Sequence, residues 1–356
     1  AGRQECITIF MKKSINVKIV AVTGRDNWST VEACGLPSLR VSDGPHGLRF
    51  VTEEKDGEQI AAESVCYPTL SALGNSFDES LVYAVGQAIA EDCIKHDVAI
   101  ILGPGVNLKR TPLCGRNFEY YSEDPVVSGK IAAAYIKGVQ SNGVGTSVKH
   151  FAVNNQETNR MSNDAQVSPR AIREIYLKGF EIAVKEAAPW TVMSSYNYLN
   201  GVYTSESPEL LTTILRDEWG FKGMVMTDWY GGTDTKAQMI AGNDMLQPGR
   251  PSQYTDLVEL MTSGEIDMKV IDRNVKRILE LILQSPKFKG YEYSNKPDLK
   301  AHAEVTRQSA TEGMVLLKND NNTLPLAADI KNVAVFGNTT YNFIAGGTGS
   351  GNVNRA

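Results

Sequence analysis

The sequence predicts an α/β fold, a (β/α)8 TIM-type barrel followed by the beginning of a second α/β domain. Short apolar runs rich in β-branched residues alternate with amphipathic stretches of helical length, which is the order of parallel βα units. Polar residues collect where the apolar runs end, and in a barrel those ends share one face. After about residue 284 the chain becomes polar, with two prolines and two tyrosines in sixteen residues.

Six apolar runs are predicted to be strands. They cover residues 39–42, 98–102, 145–150, 191–195, 224–227 and 239–246. The polar groups at their ends are Asp43, the turn 103–105, the pair Lys149 and His150, Tyr196, Asp228 and Asp244. Any parallel sheet binds ligands at this edge, so an open α/β sheet remains an alternative. The ordered series of six polar ends favours the barrel, in which they would converge on one site.

Six helices are predicted between and after these strands. They cover residues 80–95, 125–140, 169–186, 208–219, 254–261 and 268–283. Several begin with Ser, Asp or Thr near a proline, as helix starts commonly do. One more helix is predicted after the barrel, over residues 299–313.

The chain has 356 residues, which is long for one core. We predict a catalytic barrel over 1–284, a linker and connecting helix over 285–320, and the start of a second domain over 321–356. The runs MVLLK and VAVFG would open that domain, the latter as a strand. One clear strand cannot bury a core, so we expect either further chain elsewhere or docking on another partner. The glycine-rich GGTGSG lacks the lysine of a phosphate-binding loop and is predicted to be a mobile loop.

Composition narrows the classes of partner. The formal net charge is −5 and no block of Lys and Arg stands out, so nucleic acid is not an expected partner. No window approaches about 18 uninterrupted apolar residues, so no membrane span is expected. Five cysteines, namely Cys6, Cys34, Cys66, Cys93 and Cys114, lack the spacing of a zinc site or a disulfide framework. Reduced thiols and the lack of a visible signal peptide favour a cytoplasmic location.

Asp228 is the first candidate for chemistry. It stands in MVMTDWYGG, directly after a buried type of strand and before two glycines. A carboxylate held rigidly at a strand end suits a glycosidase nucleophile, which must attack the anomeric carbon from a fixed direction. From spacing alone, a helix cap or a loop salt bridge is an equally good interpretation.

Lys149 and His150 form a second candidate group, in SVKHFAVNNQETNR, and Arg160 lies ten residues after His150. Several donors suit a ligand rich in hydroxyl groups. A Lys-His pair alone is more often a surface feature, and a barrel lysine also serves as a Schiff-base former in aldolases. The loop GRNFEYYSEDP joins Arg116 to acidic and aromatic residues, which suits a sugar platform or a salt-bridged loop that caps the next helix.

Together these segments resemble glycoside hydrolase family 3, from about Trp28 to the last residue. The matching segments are SDGPHGLR, LGPGVNLKRTPLCGRNFEYYSEDP, KHFAVNNQETNR, MSSYNYLNG, LLTTILRDEWGFKGMVMTDW and AGNDMLQPG. LLKNDNNTLPL and the terminal AVFG and GGTGSG match the opening of the family's second domain. Several long matches in the order of the family argue strongly against chance.

The resemblance implies an irregular (β/α)8-type barrel followed by an α/β sandwich, and an exo-acting retaining β-glycosidase that releases glucose from β-glucosides. It implies Asp228 as the nucleophile of a double displacement, with a second carboxyl group as acid/base. Two carboxyl groups suffice for this reaction, so no metal or organic cofactor is expected. It places the sugar among seven residues: Asp43, Arg116, Lys149, His150, Arg160, Tyr196 and Trp229.

The implied roles follow the chemistry of the side chains. Asp43 would accept hydrogen bonds from sugar hydroxyls, while Lys149, His150 and Arg160 would donate to them. Tyr196 would help to hold the carboxylate of the nucleophile, and Trp229 would pack against the sugar ring. In the family branch that this chain resembles, the acid/base glutamate comes from the second domain. The sequence ends before that position, and the glutamates of the site loops match no such role.

Other activities remain open within and outside this resemblance. A β-xylosidase or an exo-β-glucanase would use the same catalytic residues. Asp43 is the residue most similar to the family's contact with glucose, so it favours glucosides. The KHFPGHG-type motif of the N-acetylglucosaminidase branch is absent, since the chain has KHFAVNNQE there. A catalytically impaired carbohydrate-binding fragment is a further alternative. A Schiff-base aldolase built on Lys149 would leave the arginines and Asp228 unexplained.

Overall fold

The computed structural model describes residues 3–32, 35–55, 58–344 and 346–353. Its strands are β1 (Gly24–Asp26), β2 (Ser29–Thr30), β3 (Arg40–Asp43), β4 (Val51–Lys55), β5 (Glu58–Ala61), β6 (Val98–Leu102), β7 (Gly145–Phe151), β8 (Asp164–Ala165), β9 (Thr191–Ser194), β10 (Tyr198–Leu199), β11 (Val202–Tyr203) and β12 (Met224–Thr227).

The helices alternate with these strands. They are α1 (Arg3–Met11), α2 (Ile15–Ala21), α3 (Leu70–Asn75), α4 (Glu79–Lys95), α5 (Pro125–Ser141), α6 (Pro169–Ala171), α7 (Lys178–Ala187), α8 (Thr235–Ala241), α9 (Pro251–Thr262), α10 (Met268–Gln284) and α11 (Leu299–Glu312). Two π-helical segments, Ile172–Tyr176 and Glu209–Glu218, complete the helical layer. No helix among the described residues has the length and apolar content to cross a bilayer.

The main sheet has the order β1-β2-β3-β6-β7-β9-β12, and isolated bridges link its two edge strands. β1 and β2 form a hairpin and β2 pairs antiparallel with β3, while the four later pairings are parallel. Met245 and Leu246 close the ring through parallel bridges to Met226 and Thr23. The Leu246 amide donates to Val22 O at 2.9 Å. The predicted (β/α)8-type barrel is therefore confirmed, with an antiparallel hairpin at its start.

The prediction of a strand over 239–246 is wrong for most of its length. The Asp234 carboxylate accepts from the Ala237 amide at 2.9 Å and caps α8, which extends to Ala241. Gly242 ends this helix with a φ of 109°, in the left-handed region that glycine adopts without a side-chain clash. Only Met245 and Leu246 then join the sheet. The other five predicted strands are confirmed to within about one residue at each end.

Helix and strand periodicity explain how the barrel is packed. On α10 the buried residues Ile271, Val275, Ile278 and Ile282 recur every three or four positions and so form one face. On β12, Val225 packs into one apolar cluster, whereas Met224 and Met226 pack into another, because successive strand residues point to opposite sides. The helices thus cover the barrel outside, and its carboxyl-terminal rim is left for polar side chains.

The chain after α11 differs from the prediction. Helix 299–313 is confirmed as α11, but residues 314–344 contain no strand, and Val333, Val335 and Phe336 of VAVFG are 70%, 62% and 87% exposed. A strand needs a neighbour for its backbone hydrogen bonds and cover for its apolar side chains. Neither is present among the described residues, so the strand prediction is wrong here. The division into domains at 284 and 320 stays a prediction.

Four of the five cysteines lie within the described residues. Cys6, Cys93 and Cys114 are free thiols. Burial raises the pKa of Cys93 and of Cys114, so both thiols stay protonated at neutral pH. Cys34 lies outside the described residues.

Candidate active site

A cavity of about 500 Å³ opens at the carboxyl-terminal rim of the barrel. All eight residues predicted for the site line it: Asp43, Arg116, Lys149, His150, Arg160, Tyr196, Asp228 and Trp229. The remaining lining residues were not predicted: Asn27, Trp28, Arg49, Gln59, Leu102, Gly115, Phe118, Glu119, Glu157, Met193, Thr348, Gly349 and Ser350. The structure therefore brings together strand ends that are far apart in the sequence.

Asp228 follows β12 and is fixed by its backbone. Its amide donates to Ser194 O at 3.2 Å, and its carbonyl oxygen accepts from Gly231 N at 2.9 Å. The Oδ1 atom accepts from the Trp229 amide at 2.8 Å. The Oδ2 atom is buried and has no hydrogen-bond partner among the described residues. One carboxylate oxygen is thus anchored, and the other is available to a ligand.

Cationic and polar groups surround that Oδ2 atom. Arg116 Nη1 lies 3.9 Å and His150 Nε2 lies 3.7 Å from it. Burial raises the pKa of Asp228, while the charges of Arg116 and Lys149, the Trp229 amide and the Tyr196 hydroxyl act in the opposite direction. These donors favour the ionised form of a carboxylate that burial alone would protonate.

Glu119 organises the cationic residues of the cavity. It is fully buried; its Oε1 atom lies 2.5 Å from Arg116 Nε and its Oε2 atom 2.9 Å from Lys149 Nζ. Burial alone would raise the pKa of Glu119, but the charges of Arg116 and Lys149 hold it well below its usual range. The spacing of three residues between Arg116 and Glu119 in GRNFE was the available signal, because such pairs meet on one turn.

Ser350 comes from the glycine-rich segment that was predicted to be a mobile loop. Its hydroxyl lies 3.0 Å from Glu119 Oε2, and Thr348 and Gly349 also line the cavity. The ring of Phe118 lies close to the same segment. A Cβ added at Gly351 would lie only 2.7 Å from a carbon of that ring. The glycine at 351 therefore permits a close approach to the barrel rim, and the predicted loop lies at the cavity.

His150 follows Lys149 through a cis peptide bond, and both side chains line the cavity. Asn107 holds the backbone of His150 from both sides, accepting from its amide at 2.8 Å and donating to its carbonyl at 2.9 Å. Burial, followed by the charges of Arg116 and Lys149, holds the pKa of His150 well below its usual range. The imidazole is therefore neutral at physiological pH.

A second group of polar residues forms the wall near β3. Arg49 Nη1 lies 3.3 Å from Asp43 Oδ2, and Arg49 Nη2 donates to Gln59 Oε1 at 2.9 Å. The Arg49 guanidinium also lies 6.0 Å from the Trp28 ring. Burial raises the pKa of Asp43, opposed by Lys149 and Arg49. Arg49 closes the quoted motif SDGPHGLR, so its position in that motif was the missed signal.

Aromatic residues form a further part of the cavity lining. The Arg160 guanidinium lies 4.9 Å above the Tyr196 ring and pairs with Glu157 at 3.0 Å. The rings of Trp229 and Trp28 are 6.0 Å apart with a 50° tilt. Burial and then the Asp228 charge raise the pKa of Tyr196, which keeps its hydroxyl protonated. Rings beside paired donors and acceptors suit a sugar, which has both apolar C–H faces and hydroxyl groups.

Asp244 does not belong to this site, although its place after an apolar run suggested that it would. Its Oδ2 atom accepts from the Val225 amide at 2.8 Å and from Arg216 Nη2 at 2.6 Å, and its Oδ1 atom accepts from Arg277 Nη1 at 2.8 Å. Val225 lies near the start of β12, so Asp244 is at the opposite end of that strand from Asp228. It is a buried structural carboxylate.

The cavity offers no arrangement for a metal ion among the described residues, where no group of three or more His, Cys, Asp or Glu side chains could hold one. What it does offer is an ionisable carboxylate with one unpartnered oxygen, neutral and charged donors beside it, and aromatic walls. Such a site can bind a polyhydroxylated ring and place a nucleophile against it.

Known proteins are similar to this chain in sequence. The chain is 46% identical over 322 residues to an exo-α-(1→6)-L-arabinopyranosidase of Bifidobacterium longum, covering 88% of this chain and 42% of that protein. It is 44% identical over 324 residues to the thermostable β-glucosidase B of Acetivibrio thermocellus, covering 89% of this chain and 42% of that protein. The chain therefore spans less than half the length of these curated relatives.

Solved structures agree with the fold. β-Glucosidase 3B from Thermotoga neapolitana in complex with glucose superposes with a TM-score of 0.93 at 41% identity, covering 98% of this chain and 52% of that one. β-Glucosidase from Kluyveromyces marxianus in complex with glucose gives a TM-score of 0.84 at 36% identity, covering 91% and 41%. The model of the glycosyl hydrolase family 3 N terminal domain matches residues 38–281, which hold most of the strand-end residues of the cavity. By this match and by the barrel that carries the site, the chain belongs to glycosyl hydrolase family 3.

Proposed function

We propose that the protein acts as a retaining exo-β-glucosidase, with Asp228 as its nucleophile. The observation that carries this proposal is the Asp228 carboxylate itself, whose Oδ1 atom is anchored by the Trp229 amide while its buried Oδ2 atom faces the cavity without a partner. A nucleophile must be held in one direction and must keep one oxygen available for attack. The barrel meets both needs at the end of β12.

The reaction proceeds in two displacements. In the first, Asp228 Oδ2 bonds to the anomeric carbon while the bond from that carbon to the aglycone oxygen breaks, and this oxygen takes a proton from an acid. In the second, a water gives a proton to the same group, now a base, and its oxygen displaces the Asp228 carboxylate. The product keeps the anomeric configuration of the substrate.

The proton donor is expected from the remainder of the second domain. Glu119 is unsuited to this role, because Arg116 and Lys149 hold its pKa well below its usual range and so keep it ionised. Glu157 lines the cavity, but its carboxylate is paired with Arg160 at 3.0 Å. A substrate whose leaving group needs no protonation would bypass the acid in the first step.

Sugar-binding roles follow from position. Lys149 Nζ and the Arg116 guanidinium present donors beside the nucleophile, and Asp43 presents an acceptor in the same cavity. Trp229 forms an apolar wall with Trp28. Glucose is the sugar we propose, since two similar structures are β-glucosidases in complex with glucose. The arabinopyranosidase relative favours a second candidate, a pentopyranoside that lacks the exocyclic hydroxymethyl group.

The proposal is tested with dinitrophenyl glycosides, whose leaving group needs no acid. The β-D-glucoside, the β-D-xyloside and the α-L-arabinopyranoside are compared by kcat/KM, and the first anomer released is identified by NMR. We expect the glucoside to be the best substrate and β-glucose to be released first. Release of α-glucose would refute retention, and a preference for either pentoside would change the sugar. Binding of glucose without turnover of any glycoside would leave only a carbohydrate-binding protein.

A further inference from the structure

The cavity holds two buried atoms that face each other without a hydrogen bond. His150 Nε2 and Asp228 Oδ2 are 3.7 Å apart, and neither has a hydrogen-bond partner among the described residues. The separation is too long for a direct hydrogen bond. A hydroxyl group of a ligand could accept from one atom and donate to the other, but only if the nitrogen carries the proton. The position of the proton on the imidazole therefore decides whether a ligand hydroxyl can bridge the two atoms.

The other imidazole nitrogen is held by Tyr120. Its hydroxyl lies 2.9 Å from His150 Nδ1, 3.3 Å from Asn154 O and 3.5 Å from Asn154 Nδ2. Both Tyr120 and His150 are fully buried, and burial raises the pKa of Tyr120, so its hydroxyl keeps its single proton. The imidazole is neutral and likewise carries one N–H. Two proton arrangements are therefore available to the pair.

The charge of Asp228 distinguishes the two arrangements. If Tyr120 donates to Nδ1 over the shorter distance, the proton of His150 is on Nε2 and points toward the Asp228 carboxylate. If Tyr120 instead donates to Asn154 O, His150 must donate through Nδ1, and its Nε2 lone pair faces a carboxylate oxygen at 3.7 Å. The first arrangement uses the shorter hydrogen bond and removes this repulsion.

We propose that Tyr120 is a positioning residue that fixes His150 as the Nε2–H tautomer, so that the cavity presents a donor next to the Asp228 acceptor. The role in sugar binding rests on the proposed function, whereas the tautomer itself does not. A hydroxyl of the bound sugar then bridges the two atoms, accepting from Nε2–H and donating to Oδ2. Tyr120 contacts neither the sugar nor the nucleophile and acts only through His150.

The barrel is shaped to hold Tyr120 in this place. A Cβ at Gly105 would lie 2.7 and 2.8 Å from two ring carbons of Tyr120 and 2.3 Å from Glu119 O, so a glycine is required where the two segments touch. The His150 backbone is fixed independently by the two hydrogen bonds with Asn107. Removing the Tyr120 hydroxyl should therefore change the proton arrangement of His150 and not the position of its ring.

The test compares Tyr120→Phe with Tyr121→Phe. Tyr121 is the matched control, because it is the next residue, is equally buried, and its hydroxyl has no hydrogen-bond partner among the described residues. Long-range ¹H–¹⁵N NMR spectra of protein with ¹⁵N-labelled histidine distinguish the two tautomers, and the chain has only four histidines. The His150→Gln variant assigns the signals.

We expect the wild type and Tyr121→Phe to show His150 as Nε2–H, and Tyr120→Phe to show a mixture of tautomers. Glucose should bind Tyr120→Phe about fivefold more weakly than the other two, the usual effect of one neutral hydrogen bond. A wild-type His150 protonated on Nδ1, or identical spectra for both variants, would overturn the proposal. If the tautomer changes as expected but glucose binds none of the three proteins, the positioning role stands and the proposed function fails.

Discussion

Lys149 Nζ and Glu119 Oε2 form a salt bridge of 2.9 Å in which the two side chains are 2% and 0% exposed. Glu119 also pairs with Arg116, so one carboxylate that was absent from the predicted site holds two cations that were part of it. Both cations are thereby fixed near Asp228, with Arg116 Nη1 at 3.9 Å from its Oδ2 atom. Glu119 therefore holds both cations in place and supplies their counter-charge.

Replacing Glu119 with Gln should destabilise the protein by about 3–5 kcal/mol, because Arg116 and Lys149 would remain buried without their counter-charge. The control is Glu186→Gln, which breaks the exposed pair between Glu186 and Lys130 at 2.7 Å and should cost less than about 1 kcal/mol. The free energy of unfolding in urea measures both. Equal effects of the two substitutions would contradict the role given to Glu119.

Asp244→Asn should also destabilise strongly, by about 3–5 kcal/mol, since it leaves Arg216 and Arg277 without the charge they both contact. Asp244 does not line the cavity, so the affinity of the folded protein for glucose should not change. Urea unfolding and titration calorimetry separate the two effects. Asp217→Asn, at an exposed position next to Arg216, serves as the control. A loss of affinity without a loss of stability would place Asp244 in the site after all.

His302 should make the attachment of α11 dependent on pH. Its Nδ1 atom lies 2.8 Å from Asp92 and its Nε2 atom 3.0 Å from Glu91, both on α4, and the Tyr67 hydroxyl donates to the same Asp92 at 3.3 Å. Burial lowers the pKa of His302, but the hydrogen bonds and charges of the two acidic residues outweigh burial and raise it. The imidazolium is thus favoured in the folded protein.

The pKa of His302 is higher in the folded protein than in the unfolded chain. Its contribution to the stability of the folded protein is therefore complete below the unfolded pKa of about 6.5. This contribution is lost as the pH rises through the folded-state pKa. The His302→Gln variant should lose about 1.5–3 kcal/mol at pH 6, the usual worth of hydrogen bonds to charged groups, and clearly less at pH 9. Urea unfolding at the two pH values measures this. A loss that does not depend on pH would show that the imidazole packs there as a neutral group.

Asp228 should impose an acid limit on the first chemical step. Burial raises its pKa above that of an ordinary aspartate, and only the ionised carboxylate attacks. The rate of glycosylation by an activated glucoside should therefore fall as the pH decreases through this raised pKa. A stopped-flow record of dinitrophenolate release between pH 4 and pH 8 measures it. A rate that stays constant to pH 4 would contradict the prediction.

Periodicity and strand ends predicted the barrel and placed Asp43, Lys149, His150, Tyr196 and Asp228 at one rim, because both depend on local sequence pattern. The family resemblance, and not the strand pattern, added Arg116, Arg160 and Trp229 to the site. Periodicity and strand ends did not assign Glu119 its role, since its spacing from Arg116 shows neither that the pair is buried nor that Lys149 joins it. The apolar run at 239–246 was misread because its composition suits a buried helix as well as a strand, and Gly242 alone marks the break. Ser350 was missed because its neighbour Glu119 is 231 positions away.

The measurement that tests the account most directly is the covalent labelling of Asp228. The protein is incubated with 2,4-dinitrophenyl 2-deoxy-2-fluoro-β-D-glucoside, which needs no acid for the first step, and its intact and peptic masses are determined. We expect one stable 2-fluoroglucosyl group, on the peptide that contains Asp228, and no label on the Asp228→Asn variant. A label on Glu119, on Glu157 or on the Asp228→Asn variant would contradict the assignment of the nucleophile.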